Sequence, residues 1–336
     1  MNHVEMRITK FGGPQVFKAT ELGPEPMAAD GVRIKVRAVG VNFADVMMRM
    51  GMYPEAPKPP FAPGYEVAGE VVETGPKAVG FKAGDRVVAP TKFGGYSTEV
   101  VLPYWQVRKT PQNLSHEEAA GVPVVFMTAW VALCEMARVR KGDRVLIHSA
   151  AGGVGMAAVQ IAADAGAEVI GLVGSEKKAD FVKSLGAKDV WTTDRWMKSK
   201  PMELGGFDAI LDSSGGPFLK HGFNYLNAMG RVVNFGMSST VGKGFAAMRL
   251  LRFVTQMPLY TPIKLMMGNK GVFGLNMLQL ATDPKVMTSA FDSVLKKLED
   301  RRYKVVLGKT FPLEQAGEAH EHLMSRGNLG KIVLTH

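Results

Sequence analysis

The sequence predicts an α/β protein of two domains, one a parallel sheet wound with helices and the other rich in short strands. Three observations carry this expectation. The chain has 336 residues, against roughly 100–200 for an ordinary domain. Its first third breaks short apolar runs with Gly and Pro. Its middle alternates apolar strands with helical patterns, which requires a parallel sheet covered by helices. Hydrophobic residues at 46% and charged residues at 21% fit a compact globular chain and exclude a disordered or fibrous one.

In the first third, Val32-Arg33-Ile34-Lys35-Val36-Arg37-Ala38-Val39 alternates with period two, as a half-exposed strand should. Tyr65 to Glu73 and Arg86 to Ala89 are similar, each bounded by Gly or Pro. Near Ser115 the character changes, because Ser115-His116-Glu117-Glu118 carries the Ser cap and early acids of a helix start. Strands follow at Asp143 to His148, Glu168 to Val173, Phe207 to Asp212 and Arg231 to Phe235. Helices are expected at Gly155 to Ala165, Lys177 to Leu185 and near Pro217 to Leu226. Beyond Phe273 come a helix around Lys285 to Arg301, a strand at Val305 to Gly308, a helix near Leu313 to Arg326 and a last strand, Lys331 to Leu334. So short a terminal strand is expected to join the first domain. The expected division is residues 1–122 with 277–336, and 123–276.

Directly after the strand ending at His148 comes Ala150-Ala151-Gly152-Gly153-Val154-Gly155 and then a helix. Strand, glycine turn and helix within a β-α-β unit form the fingerprint of a Rossmann dinucleotide site, here with Ala150 in the first Gly position. Gly152 lets the backbone approach a pyrophosphate, Gly155 lets helix and strand pack closely, and the helix N-terminus offers N–H groups and a positive dipole end. An NAD site wants an acid at the end of the next strand for the ribose hydroxyls. Here stand Gly174 and Ser175 with Lys178 nearby, a small residue, a hydroxyl and a cation suited to a 2′-phosphate, which favours NADPH. Glu176 leaves NADH open as the alternative, either as ribose acceptor or as a solvated first-turn acid.

Forty-one basic against thirty-one acidic residues give +10, which favours anionic partners without choosing among them. The cations form no block and have no aromatic interleaving, so nucleic acid is not expected. One cysteine, Cys134, makes no intrachain disulfide and no multi-Cys zinc site, and sits in an apolar run that reads as core. The N-terminus lacks the apolar core of a signal peptide, and a cytoplasmic location is expected. Phe245 to Met267 is apolar and Met-rich but interrupted by Arg249, Arg252, Pro258, Pro262 and Lys264. It is no spanning helix; it could be pocket lining, a dimer interface or an interfacial segment with Met248, Leu250, Leu251, Phe253, Val254 and Met257 toward an acyl chain.

Nearly the whole chain resembles the medium-chain dehydrogenase/reductase superfamily, in its zinc-independent quinone oxidoreductase branch. The motifs that carry the likeness are Gly40-Val41-Asn42-Phe43-Ala44-Asp45, Arg49-Met50-Gly51-Met52-Tyr53, Pro63 to Val71, Gly84-Asp85-Arg86-Val87, Thr128-Ala129-Trp130, the glycine turn and Asn328-Leu329-Gly330-Lys331. Ala150 to Gln160, Asn234-Phe235-Gly236-Met237 and the apolar insertion look most like the vesicle amine transport protein homologues. The resemblance implies a GroES-like catalytic domain beside the Rossmann domain, and commonly a homodimer. Zinc-dependent members carry Cys at the place of Asn42 and His at the place of Tyr65, so no metal site is expected.

By the same resemblance, Asn42, Asp45 and Tyr53 lie around nicotinamide and substrate, with Asn42 and Tyr53 the first candidates for contact with the substrate oxygen and Tyr65 a third; the alternatives are that Asp45 caps the following helix, Tyr53 walls the pocket and Tyr65 packs under the strand. Thr128, Gly153 and Val154 fall near the cofactor. Asn234, Phe235 and Gly236 face it, Phe273, Gly274 and Leu275 close its nicotinamide end, and Asn328 reaches it from the C-terminal lobe. Many NADPH-binding members have Tyr where this chain has Thr193, which leaves Ser175, Lys178 and Arg195 to recognise the phosphate. The resulting expectation is an NADPH-dependent reductase that passes hydride to a quinone or an α,β-unsaturated carbonyl (enone or enoyl) acceptor, a small molecule bound between the domains. The alternative is a nucleotide-binding, lipid- or membrane-associated protein with little reductase activity.

Overall fold

The computed structural model describes residues 3–200, 205–240, 251, 253–280 and 284–336. It divides into two compact units, Met1–Met127 with Leu280–His336, and Thr128–Gln279.

The first unit is β-rich. The strands β1 (His3–Ile8) and β2 (Phe17–Leu22) form an antiparallel hairpin. The main sheet contains β3 (Gly31–Val41), β4 (Glu66–Thr74), β5 (Arg86–Pro90), β6 (Glu99–Pro103) and β7 (Arg108–Lys109). Its strand order is completed by β14 (Leu307–Pro312) and β15 (Lys331–Thr335) to give β14-β15-β3-β4-β5-β7, with β6 also on β3. The last strand lies inside the sheet, where Ile332 to Thr335 pair antiparallel with Val41 to Ala38. Its run Ile332-Val333-Leu334 is buried, as an inner strand demands.

Period two marks β3 correctly as a strand but overstates its exposure. Flanked by β15, β4 and β6, it leaves only Lys35 exposed. Arg33 is buried and reaches Glu99 at 2.5 Å and Glu73 at 3.2 Å. A charged residue tolerates this site because both carboxylates satisfy its fork.

The second unit is a six-stranded parallel sheet, β10-β9-β8-β11-β12-β13. Its strands are β8 (Arg144–Ile147), β9 (Glu168–Val173), β10 (Asp189–Thr192), β11 (Phe207–Asp212), β12 (Leu226–Asn234) and β13 (Gly271–Gly274). In chain order this is 3-2-1-4-5-6, the doubly wound dinucleotide-binding order, whose direction reverses between β8 and β11. Its core includes Leu146, Ile170, Leu172, Trp191, Trp196, Phe207, Ile210 and Val232. The helix Pro123–Trp130 continues through a wider turn, Val131–Met136, in which Ala137 N–H reaches back five residues to Ala132. Cys134 on that turn is half-buried, less deeply set than its apolar run suggests.

Candidate functional site

In the parallel-sheet unit the site is built at the carboxyl ends of the strands. After β8, Ser149 takes a left-handed backbone, φ 53°, costing about 1–2 kcal/mol for a residue with a Cβ. The chain thereby turns sharply into the helix Gly153–Asp164, with Gly152 as its cap residue. A Cβ on Gly155 would collide with the Ser149 carbonyl and come within 2.6 Å of Ala150 Cα, so only glycine lets helix and turn approach this closely. Ala150 is buried against β9, its N–H bonded to Leu172 O at 2.9 Å. The N–H groups of Gly153, Val154 and Gly155 open the helix with no carbonyl one turn back inside it, the arrangement that receives a diphosphate.

Beside the turn, Val173 at the end of β9 is in register with Thr192 of β10. The segments that follow therefore run side by side. Thr193 Oγ1 donates to Val173 O at 3.2 Å, while Gly174 and Ser175 are exposed. Arg195, also exposed, lies over the Trp191 ring at 5.1 Å. Burial pulls the Lys178 ammonium below its ordinary range. Ser175, Lys178, Thr193 and Arg195 thus lie on the adjoining segments after two neighbouring strands, and Glu176 is exposed on the short turn Glu176–Lys178.

On the other side of the switch point, buried Asp212 organises three strand ends. It accepts from His148 Nδ1 at 2.8 Å, Ser214 N–H at 2.8 Å, Gly215 N–H at 3.1 Å and Asn234 Nδ2 at 3.1 Å. The Asn234 amide also donates to Gly236 O at 3.1 Å, so this side chain shapes the loop. Phe235 N–H bonds Asp212 O, and Leu275 N–H bonds Asn234 O. Asn234 to Gly236 and Gly274 to Leu275 are therefore aligned at adjacent strand ends; Phe273 is exposed and Leu275 is buried. Thr128 is buried. Sequence reasoning missed His148 and Asp212, although each is a polar residue at the end of an otherwise apolar strand.

In the β-rich unit, Asn42, Asp45, Tyr53 and Tyr65 come together around the helix Phe43–Arg49. Asn42 caps that helix, and its backbone N–H donates to Asp45 Oδ2 at 2.8 Å. Its side chain is held at both ends: Nδ2 donates to Glu66 Oε1 at 2.8 Å and Oδ1 accepts from Lys331 Nζ at 2.6 Å. Lys331 Nζ also lies 2.6 Å from Glu66 Oε1 and 3.0 Å from Val41 O, so its three protons are taken. Glu66 Oε2 in turn accepts Val124 N–H at 2.7 Å. The Asn42 amide is thus committed to a buried Glu66–Lys331 pair, and Asp45 is wholly buried.

Burial pushes the Asp45 carboxyl up to about 7, against the opposing pull of the Asn42 N–H and the Lys331 charge. Tyr65 is buried, and its ring lies 6.3 Å from that of Tyr53. Burial raises both phenols, leaving them as neutral hydroxyls. Of the four, only Tyr53 is partly exposed, and so able to meet a ligand without rearrangement. Asn328 is also partly exposed, its amide donating to Gly330 O at 3.2 Å.

Among the described residues, no three His, Cys, Asp or Glu side chains converge on a possible metal position. At Asn42 and Tyr65, where the resemblance implies the Cys and His of zinc-dependent members, this chain offers an amide committed to Lys331 and a neutral phenol. That donor set does not suit zinc.

Residues 153–292 match the family model for zinc-binding dehydrogenases, and residues 28–112 match the alcohol dehydrogenase GroES-like domain. The human synaptic vesicle membrane protein VAT-1 homolog is 31% identical over 333 residues, 97% of this chain and 85% of that protein. Human quinone oxidoreductase is 30% identical over 98% of this chain and 96% of its own length. The structure of the quinone oxidoreductase from Thermus thermophilus, described with its NADPH complex, superposes with a TM-score of 0.82 at 30% identity, covering 99% of this chain and 100% of that one. A Rossmann unit and a GroES-like unit on one chain define an oxidoreductase. The chain belongs to the medium-chain dehydrogenase/reductase superfamily, in its quinone oxidoreductase branch and close to the VAT-1 homologues.

Proposed function

We propose that this chain is an NADPH-dependent reductase that delivers hydride to a conjugated carbonyl, either a quinone or an α,β-unsaturated carbonyl compound. The observation that carries the reading is the glycine turn at the switch point, beside a β9 end that presents Ser175 and Lys178 in place of an acid, with Arg195 on the adjoining segment. NADPH, when bound, supplies the hydride. In this reading the N–H groups of Gly153, Val154 and Gly155 hold its diphosphate, and Ser175, Lys178 and Arg195 hold the 2′-phosphate. Thr128, Asn234 to Gly236, Phe273 to Leu275 and Asn328 take the nicotinamide side, as the family likeness implies. Tyr53 donates a hydrogen bond to the acceptor oxygen, where negative charge develops as hydride arrives. Asn42 and Asp45 support from behind, since the Asn42 amide and Asp45 Oδ2 are turned to protein partners. No metal takes part, and the molecule works as a homodimer.

Titration with NADPH and NADH, followed by NADPH oxidation against quinones, enones and enoyl thioesters, tests this. Tighter binding of NADPH with turnover of one acceptor class is expected. Tight binding without turnover on any of them would sink the reductase assignment.

One feature favours a second reading, association with a lipid surface. The helix Pro262–Gly268 exposes Ile263, Met266 and Met267 at i, i+3 and i+4, next to Leu259, which is 88% exposed. Among the described residues no helix is long and apolar enough to cross a membrane. Met248, Arg249, Leu250 and Arg252, which the sequence offers for such a face, lie outside the described residues. Phe253 does not belong to it: the side chain is buried against Gly215 and Gly216, where a Cβ would touch its ring. Leu251 and Val254 are exposed. Co-sedimentation with anionic liposomes, abolished by Ile263→Glu with Met267→Glu, is the expected result; absence of binding by the unaltered protein removes this reading.

A further inference from the structure

Four polar side chains behind the Tyr53 region are almost wholly shut from solvent: Asp45, Tyr96 and His320 at 0% exposure and Arg49 at 1%. They are connected in series. Arg49 Nε lies 3.2 Å from His320 Nδ1, His320 Nε2 lies 2.9 Å from the Tyr96 hydroxyl, and that hydroxyl lies 3.2 Å from Asp45 Oδ2. The direction of every proton follows from the two ends. Arginine only donates, so His320 Nδ1 must accept and a neutral ring carries its proton on Nε2. That proton goes to the Tyr96 oxygen, and the single Tyr96 proton is left for Asp45. Burial and the Arg49 charge hold His320 neutral, down to about 3, consistent with this order.

The chain begins on an unusual cation. The Arg49 guanidinium also donates to Gly12 O at 2.5 Å and to Met324 Sδ at 3.4 Å. The charge of Glu321 bears on it through space, without a hydrogen bond between them among the described contacts. Its bonded route to an anion runs through the two rings to Asp45. Other groups bear on Asp45: the Asn42 N–H from its own helix cap, the Lys331 ammonium from β15, Glu66 from β4, and the phenols of Tyr53 and Tyr65. Phe17 from β2 packs edge-on against the His320 ring at 5.0 Å and adds no charge.

We propose that Arg49, His320 and Tyr96 are positioning residues, a one-way hydrogen-bond chain that stabilises ionised Asp45 and thereby fixes both ends of the helix between Asn42 and Tyr53. Asp45 holds the N-terminal end through the Asn42 N–H, and Arg49 holds the C-terminal end through Gly12 and His320. Tyr53 follows four residues after Arg49. The proposal rests on the reductase reading for its catalytic consequence, and on the geometry alone for the state of Asp45.

The test is an infrared titration of the protonated carboxyl band in the full-length protein, with the Asp45 band assigned by its loss in Asp45→Asn. Tyr96→Phe and His320→Leu each remove a link, and each should move the Asp45 midpoint to higher pH by about one unit, a tenfold change in proton affinity. His320→Gln keeps one acceptor and one donor and should return the midpoint toward that of the unaltered chain. With NADPH and a working acceptor, Tyr96→Phe and His320→Leu should lower kcat by about tenfold while KM for NADPH changes less than about twofold. His320→Gln should recover the rate. An unmoved midpoint in both Tyr96→Phe and His320→Leu overturns the chain, and a moved midpoint with unchanged kcat overturns its positioning role. If the unaltered protein reduces no acceptor, the reductase reading falls, and the titration still decides the chain.

Discussion

At the scale of single residues, Lys331 carries the sharpest stability prediction. Its ammonium is buried with Glu66, and each group's charge is tolerable only because the other is present. Lys331→Met leaves Glu66 buried beside the Asn42 amide and Val124 N–H alone, which should cost about 3–5 kcal/mol, read as a lower urea midpoint. Adding Glu66→Gln should recover part of that loss, because the orphaned charge is then gone. Asp45 gives a prediction in pH. Its folded-state pKa, up to about 7, exceeds the unfolded value near 4, so the folded protein binds the proton more tightly. Folding is therefore favoured at low pH by this group, and that contribution is lost as pH rises through about 4 to 7. Asp45→Asn should flatten the fall in thermal midpoint across that interval; an unchanged slope would show that Asp45 is not its source. On the cofactor side, Lys178→Ala combined with Arg195→Ala should weaken NADPH by about tenfold or more and leave NADH nearly unchanged, by fluorescence titration.

At the scale of elements, Gly155 ties sequence to site. Gly155→Ala forces the helix Gly153–Asp164 away from the Ser149 carbonyl, so NADPH affinity should fall by about tenfold or more in calorimetry. The same alanine at Gly23, outside every expected cofactor residue and with nothing within 4 Å of a Cβ, should bind NADPH almost as before. This turn was legible in the sequence because strand, glycines and helix are contiguous. So were Glu168 to Val173 and Phe207 to Asp212, apolar runs matching the strands residue for residue. Other elements carried weak signals. The edge strand β13 is four residues with glycine at both ends, and β10 is four residues beginning on Asp189. The hairpin of β1 and β2 mixes charge and apolar residues with little rhythm. The buried chain could not be read at all, because Arg49 and His320 are 271 positions apart and Tyr96 and His320 are 224 apart. Spacing identifies motifs within an element, whereas such contacts arise only when a late helix packs against an early one. For the same reason nothing near Asn42 in the sequence announces that Lys331, 289 positions away, holds its amide.

At the scale of the whole molecule, the two units differ in how the chain builds them. The β-rich unit needs both termini, since β15 is an inner strand of its sheet. The parallel-sheet unit is one continuous segment that contains all six strands of its sheet and every expected cofactor residue except Asn328. Its core closes on its own aromatic cluster, in which Trp196 packs against Tyr225 at 4.3 Å and against Phe207 at 5.9 Å. Parallel strands make mostly non-local contacts, so the segment should fold slowly but should not need the rest of the chain. A fragment from Gly121 to Gln279, which keeps the helix Pro123–Trp130 intact, should therefore fold cooperatively and bind NADPH. Its affinity should be weaker than the full chain's by about tenfold, because the contribution proposed for Asn328 is missing. The complementary prediction is that removing Lys331 to His336 from the full chain abolishes the β-rich unit while NADPH binding survives. Near- and far-ultraviolet circular dichroism with a fluorescence titration decides both. If the fragment folds but binds no NADPH, cofactor binding depends on the β-rich unit far more than the single residue Asn328 implies.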